Sequence, residues 1–91
     1  MIKFVIVETN TFISKIKKHI FKNLYPKIKN YIYPQLRENP YFGPNIKKLK
    51  GKYKDFYRYR IGNHRLFYKI DNEKIIIFIV DIFQRKDSYK K

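Results

Sequence analysis

The chain has 91 residues, with 22 Lys and Arg against 7 Asp and Glu, for a formal net charge of +15. A length of this order supports one hydrophobic core, so residues 1–91 read as a single domain. The absence of cysteine excludes a disulfide framework and thiolate metal sites.

Residues 2–7 form a β-branched and aromatic run that predicts a first strand. Thr9, Asn10 or Thr11 can cap the helix expected next. Its apolar positions Phe12, Ile13, Ile16, Ile20, Phe21 and Leu24 recur at three- and four-residue intervals, and Lys15, Lys17, Lys18 and Lys22 line its outer side. Tyr25-Pro26 interrupts the pattern, and Pro26 suits the first turn of a second helix packing through Ile28, Tyr31, Ile32 and Leu36. Pro34 inside that helix should bend it or end it early. Residues 38–45 hold two prolines and a glycine and read as a loop. Three strands follow, over 55–61, 65–70 and 74–83, the last a continuous Ile/Val/Phe run of the kind buried on both faces. The expected order is β-α-α-β-β-β. This is an α+β domain with two N-terminal helices on one face of a small, mostly antiparallel sheet.

The excess of positive charge exceeds what solubility requires and points to a polyanionic partner. The longest apolar run, Ile75 to Val80, is too short to span a bilayer, and Met1-Ile2-Lys3 does not open a signal peptide. The expectation is a soluble, cytoplasmic protein without a membrane partner.

The sharpest local signal is the hairpin Arg58-Tyr59-Arg60-Ile61-Gly62-Asn63-His64-Arg65. Gly62-Asn63 suits a two-residue turn, which pairs Ile61 with His64 and sets Arg60 across from Arg65 on one face. Like charges opposed across strands cost up to roughly 1 kcal/mol, so a chain that keeps them has a use for them, such as holding an anion. Alternation adds Arg58 and Phe67 to that face and sends Tyr57, Tyr59 and Ile61 to the other. Guanidiniums grouped in this way offer planar, bidentate donors to a phosphodiester.

Lys50 and Lys52, in the lysine run before the hairpin, can add phosphate contacts; as a solvated surface they need no further role. Beyond the last strand, Arg85 can stabilise developing negative charge, and Tyr89 can stack on a base or orient a proton. His64 points away from Arg65 and reads most simply as a half-packed turn residue. Tyr57, Tyr59 and Tyr68 read as core. Two scattered histidines and dispersed carboxylates supply no metal site, and no cofactor is expected.

Leu49-Lys50-Gly51, then Arg58-Tyr59-Arg60-Ile61-Gly62-Asn63-His64-Arg65, then Arg85-Lys86-Asp87-Ser88-Tyr89 occur in an order and spacing that resemble the RelE/ParE superfamily of type II toxins. The likeness runs over essentially the whole chain. It implies a toxin neutralised by an acidic antitoxin in a hetero-oligomer. For the RelE branch, the closer resemblance, it implies ribosome-dependent cleavage of mRNA in the A site by attack of a 2′-hydroxyl on the adjacent phosphate. Arg58, Arg60, Arg65, Arg85 and Tyr89 match the positions such toxins use. Nuclease members often carry lysine at one of the positions held by Arg58 and Arg60, and many carry histidine in place of Gln84, which leaves the proton acceptor open. The alternative is a ParE-like toxin that inhibits DNA gyrase without cutting RNA.

Overall fold

The computed structural model describes residues 3–85. Five strands, β1 (Val5–Glu8), β2 (Ile46–Lys48), β3 (Tyr57–Ile61), β4 (His64–Asp71) and β5 (Ile76–Gln84), form one sheet in the order β1-β5-β4-β3-β2. β1 runs parallel to β5 and the other pairs are antiparallel. This is the expected α+β arrangement with one strand more. β2 lies in the lysine run; with three residues, two of them lysine, it shows no alternation to read, and lysines suit an exposed sheet edge.

The first helix, α1 (Asn10–Ile16), is capped by Thr9, whose hydroxyl accepts from the Phe12 N–H. The same hydroxyl lies 2.9 Å from the Ile79 carbonyl and 3.0 Å from that of Val80, tying the helix start to β5. The helix ends well before Leu24, where the periodicity placed its end. Lys15, Lys18 and Lys22 stand at three- and four-residue spacing with no intervening acid, so a continuous helix would stack like charges. Breaking there leaves Ile20 exposed and lets Phe21 pack edge-on against His64, with ring centroids 5.7 Å apart.

Residues 22–38 are helical throughout but change winding. A 3₁₀ turn (Lys22–Leu24) leads into α2 (Tyr25–Lys27), a π-helical segment (Ile28–Ile32) and α3 (Tyr33–Glu38). Pro26 occupies the first turn of α2, as expected. Pro34 neither ends nor breaks the helix. The wide turn before it, closed by the Tyr33 N–H on the Ile28 carbonyl, absorbs the missing donor. The extra residue also rotates the apolar stripe: Tyr31 is 60% exposed, whereas Ile28, Ile32, Tyr33 and Leu36 are buried.

These side chains, with Phe12, Ile16 and Phe21, pack on Tyr59 and Ile61 of β3, Leu66 and Tyr68 of β4, and Ile77, Ile79 and Ile82 of β5. Spacing in β5 changes from two to three residues because the strand bulges. Tyr68 pairs with Ile79 and Phe67 with Asp81, which skips Val80. β5 is therefore not buried on both faces: Ile77, Ile79 and Ile82 are buried, and Ile76, Phe78, Val80 and Phe83 only half-buried. Polar groups in this core are matched. Glu8 accepts from the hydroxyls of Tyr25 and Tyr33, each at 2.8 Å, Tyr59 donates to Gln35, and Tyr68 donates to the Pro40 carbonyl. Burial first, and the bond to Glu8 second, push the Tyr25 phenol up to about 12 and raise that of Tyr33 as well.

Candidate functional site

The core fixes the opposite face of the sheet. Tyr57, Tyr59 and Ile61 turn toward the helices, so Arg58 and Arg60 turn away. Gly62 has φ +55 while Asn63 does not, the pattern of a type II′ turn, and the two-residue loop sets Arg60 opposite Arg65 and Arg58 opposite Phe67. The expected cross-strand pair is thus present. Its members differ in setting, since Arg60 is exposed and Arg65 is only 6% exposed. Arg65 Nη1 donates to the His64 carbonyl at 3.2 Å. Arg58 Nη1 donates to the Asn45 carbonyl at 2.8 Å, and its Nε is buried with no hydrogen-bond partner among the described residues. The Arg60 N–H donates to that same Asn45 carbonyl, which holds the β3 arginines against the loop before β2.

Sequence reasoning missed Lys47. With β2 unrecognised, nothing aligned it, yet the register sets it directly opposite Arg58. At this level the face reads Lys47, Arg58, Phe67 and Asp81 from β2 to β5; at the next, toward the turn, it reads Arg60, Arg65 and Phe83. Cations occupy β2, β3 and the turn end of β4, and the aromatic rings Phe67 and Phe83 lie on β4 and β5. Phe67 packs with Phe56, Phe83 and Tyr53. The carboxylate of Asp81 is engaged by Lys15, which reaches over from α1, 3.0 Å from Asp81 and 3.9 Å from the centre of the Phe83 ring. The acid closest to Phe67 therefore does little to offset the arginines.

Other expected residues lie around this face. Lys50 and Lys52 are both exposed, at the start of and within a 3₁₀ turn (Gly51–Tyr53). Lys52 Nζ stands 5.9 Å from the Tyr53 ring, whereas Lys50 belongs to a separate cleft with Leu49 and Asp55. Arg85 follows β5, and its N–H donates to the Asn63 carbonyl, bringing the end of the last strand to the hairpin turn. Tyr89 lies outside the described residues. Asn63, His64, Gln84 and Arg85 together line an open cleft of about 590 Å³. Among the described residues no group of three or more His, Cys, Asp or Glu could hold a metal ion, and no helix is long and apolar enough to cross a membrane.

A face with three arginines and a lysine, backed by a rigid core, can hold one or more phosphates through bidentate, charge-assisted hydrogen bonds. Among the described residues of this face, the one carboxylate, Asp81, is held by Lys15.

Comparison with known proteins agrees with this architecture. The fold is similar to that of the toxin–antitoxin complex RelBE2 from Mycobacterium tuberculosis (TM-score 0.77, 22% identity, covering 96% of this chain and 97% of that one). It is similar also to the archaeal RelE–RelB complex from Pyrococcus horikoshii OT3 (TM-score 0.71, 20% identity, 94% and 99%). The RelB–RelE complex from Methanococcus jannaschii gives a TM-score of 0.67 at 26% identity, covering 91% and 94%. No curated protein sequence is a significant match. The family described as ParE toxin of type II toxin-antitoxin system, parDE, matches residues 9–89, a span that takes in the capped helix, the arginine hairpin and the basic end of the chain. The chain therefore belongs to the RelE/ParE superfamily of type II toxins.

Proposed function

We propose that this toxin is a ribosome-dependent endoribonuclease that cleaves mRNA in the A site by attack of a 2′-hydroxyl on the adjacent phosphate. The observation that carries the reading is the β2–β3–β4 register, with Lys47 opposite Arg58 and Arg60 opposite Arg65 on the face away from the core. Arg58 and Arg60 hold phosphates, with Lys50 and Lys52 at the flank. Arg65 and Arg85 stabilise charge that develops at phosphorus, and Tyr89 stacks on a base or orients the 2′-hydroxyl. An acidic antitoxin neutralises the toxin by covering the basic face, and with +15 on this chain their association is fast and salt-sensitive. The solved RelE relatives are themselves complexes with RelB.

Primer extension on message translated in a purified system tests this reading. Site-specific 3′ ends should appear with the wild type and disappear with Arg85→Ala. Arg65→Ala should abolish them too, but because Arg65 is buried its urea midpoint must be checked alongside. The match to the ParE toxin family favours a second reading, a toxin that inhibits DNA gyrase without cutting RNA. Intact message together with loss of gyrase supercoiling activity would select it.

A further inference from the structure

Among the described residues, the arginine face supplies positive charge and geometry but no free proton acceptor. Guanidiniums are cations that donate rather than accept protons, Gln84 carries a neutral amide, and the Asp81 carboxylate is engaged by Lys15. The cleft at the end of the sheet differs. Among the described residues lining it, Asn63, His64, Gln84 and Arg85, only His64 has a side chain that normally changes protonation near neutrality.

We propose that His64 is the proton acceptor of the cleavage step, a role that rests on the nuclease reading above. Four observations carry the assignment. The imidazole is half-buried and held edge-on against Phe21, 5.7 Å between ring centres and 71° between planes, so one side of the ring is fixed. Its strand partner is Gln84, an amide able to hydrogen-bond the ring or the substrate. The ring shares the face of Ile61, opposite to the Arg65 guanidinium, so Arg85, in the same cleft, is the arginine placed beside it. The Arg85 N–H on the Asn63 carbonyl joins two of the residues that line the cleft, which at about 590 Å³ lies within the range of small-molecule sites. Charged groups on the elements packed around the ring are Arg85 after β5, Arg65 on β4, and His19 and Lys22 in the segment that carries Phe21.

In the step, a ring nitrogen of neutral His64 takes the proton of the ribose 2′-hydroxyl. The oxygen electron pair forms the new bond to phosphorus, the bond from phosphorus to the 5′-oxygen breaks, and the departing oxygen takes a proton from water. Products are a 2′,3′-cyclic phosphate and a 5′-hydroxyl, and the imidazolium returns its proton to solvent. Arg85, lining the same cleft, balances charge on the phosphate.

The test is the single-turnover cleavage rate on programmed ribosomes between pH 5.5 and 8.5, for the wild type, His64→Gln and His64→Ala. The wild-type rate should rise with pH as the imidazole loses its proton. His64→Gln should be slower by about 100-fold and lose that rise, at the lower end of what a general base contributes. Added imidazole should restore His64→Ala in proportion to its neutral form, an effect that a packing role would not produce. Should His64→Gln cleave at the wild-type rate, or slow cleavage keep the wild-type pH profile and ignore imidazole, His64 is not the base and the nuclease reading still stands. If the wild type leaves the message intact at every pH, both fall.

Discussion

Replacing Arg60 with glutamine should make the protein more stable while weakening its hold on RNA. Arg60 is exposed and its side chain makes no hydrogen bond or ion pair among the described residues, so its removal sacrifices little packing. Opposite residues on an antiparallel pair have Cβ atoms about 5 Å apart. Two guanidiniums at about 6 Å repel by about 0.7 kcal/mol in a water-like dielectric, and by more where the burial of Arg65 lowers it. Salt at ~0.1 M removes part of this, leaving a gain of about 0.5–1 kcal/mol for Arg60→Gln. With a denaturant slope near 1 kcal/mol/M for so small a chain, the urea midpoint should rise by about 0.5–1 M at low salt. The gain should shrink in 1 M NaCl, where the screening length is about 3 Å. RNA affinity should move the other way, with the slope of log K against log salt falling by about 0.7 for the lost phosphate contact. A midpoint that stays or drops at low salt, or a shift indifferent to salt, would refute the repulsion. An unchanged salt slope would remove Arg60 from the phosphate site.

Three further outcomes follow from the core and the turn. Tyr33→Phe removes a part-buried 2.8 Å bond to Glu8 and should cost about 1.5–3 kcal/mol in urea unfolding, the range for hydrogen bonds to charged groups. The phenols of Tyr33 and Tyr68 are raised mainly by burial, so the folded protein keeps those protons after the unfolded chain has lost them. Their contribution is complete below about pH 10 and declines above it, by about 1.4 kcal/mol per pH unit for each, which unfolding midpoints measured from pH 9 to 11.5 will record. Gly62→Ala meets open space but inherits φ +55, and should cost about 1–2 kcal/mol by thermal or urea melting.

The parts legible in the sequence are those where one side chain determines the outcome. A cap among Thr9, Asn10 and Thr11, Pro26 in a first turn, a two-residue turn at Gly62-Asn63 and the alternation through Arg58, Tyr59 and Arg60 each act within a few residues, and each is present, the cap being Thr9. The parts that were not legible depend on partners distant in sequence. Ile46–Lys48 becomes a strand only because β3 offers it an edge, and that pairing is what brings Lys47 to Arg58. The bulge at Val80 is a property of the β4–β5 register, and without it the spacing of Ile79 and Ile82 looks like a strand buried on both sides. The π-helical turn before Pro34 inserts a residue into the helical phase, so a stripe drawn at α-helical spacing brings Tyr31 inward in place of Tyr33. The cleft between Asn63 and Arg85 needed the end of β5 brought back to the hairpin turn.

The two faces of the β3–β4 hairpin are energetically linked, and the link explains how a row of mutually repelling cations stays in register. A slip of one residue would turn Tyr59 and Ile61 outward and drive Arg58 and Arg60 into the core. Burying a guanidinium without a partner costs several kcal/mol, and exposing Tyr59 and Ile61 forfeits about 1.5–3 kcal/mol for each large apolar side chain. Against this, the repulsion between Arg60 and Arg65 is worth about 1 kcal/mol. The core therefore decides the register, and the cationic face follows from it, with the Arg58 bond to the Asn45 carbonyl fixing one guanidinium in place. Loss of core packing should then reach the site through geometry rather than charge: a variant such as Leu66→Ala, which opens a cavity directly opposite Tyr59, would loosen the spacing of Arg58, Arg60 and Arg65 while leaving every cation in place.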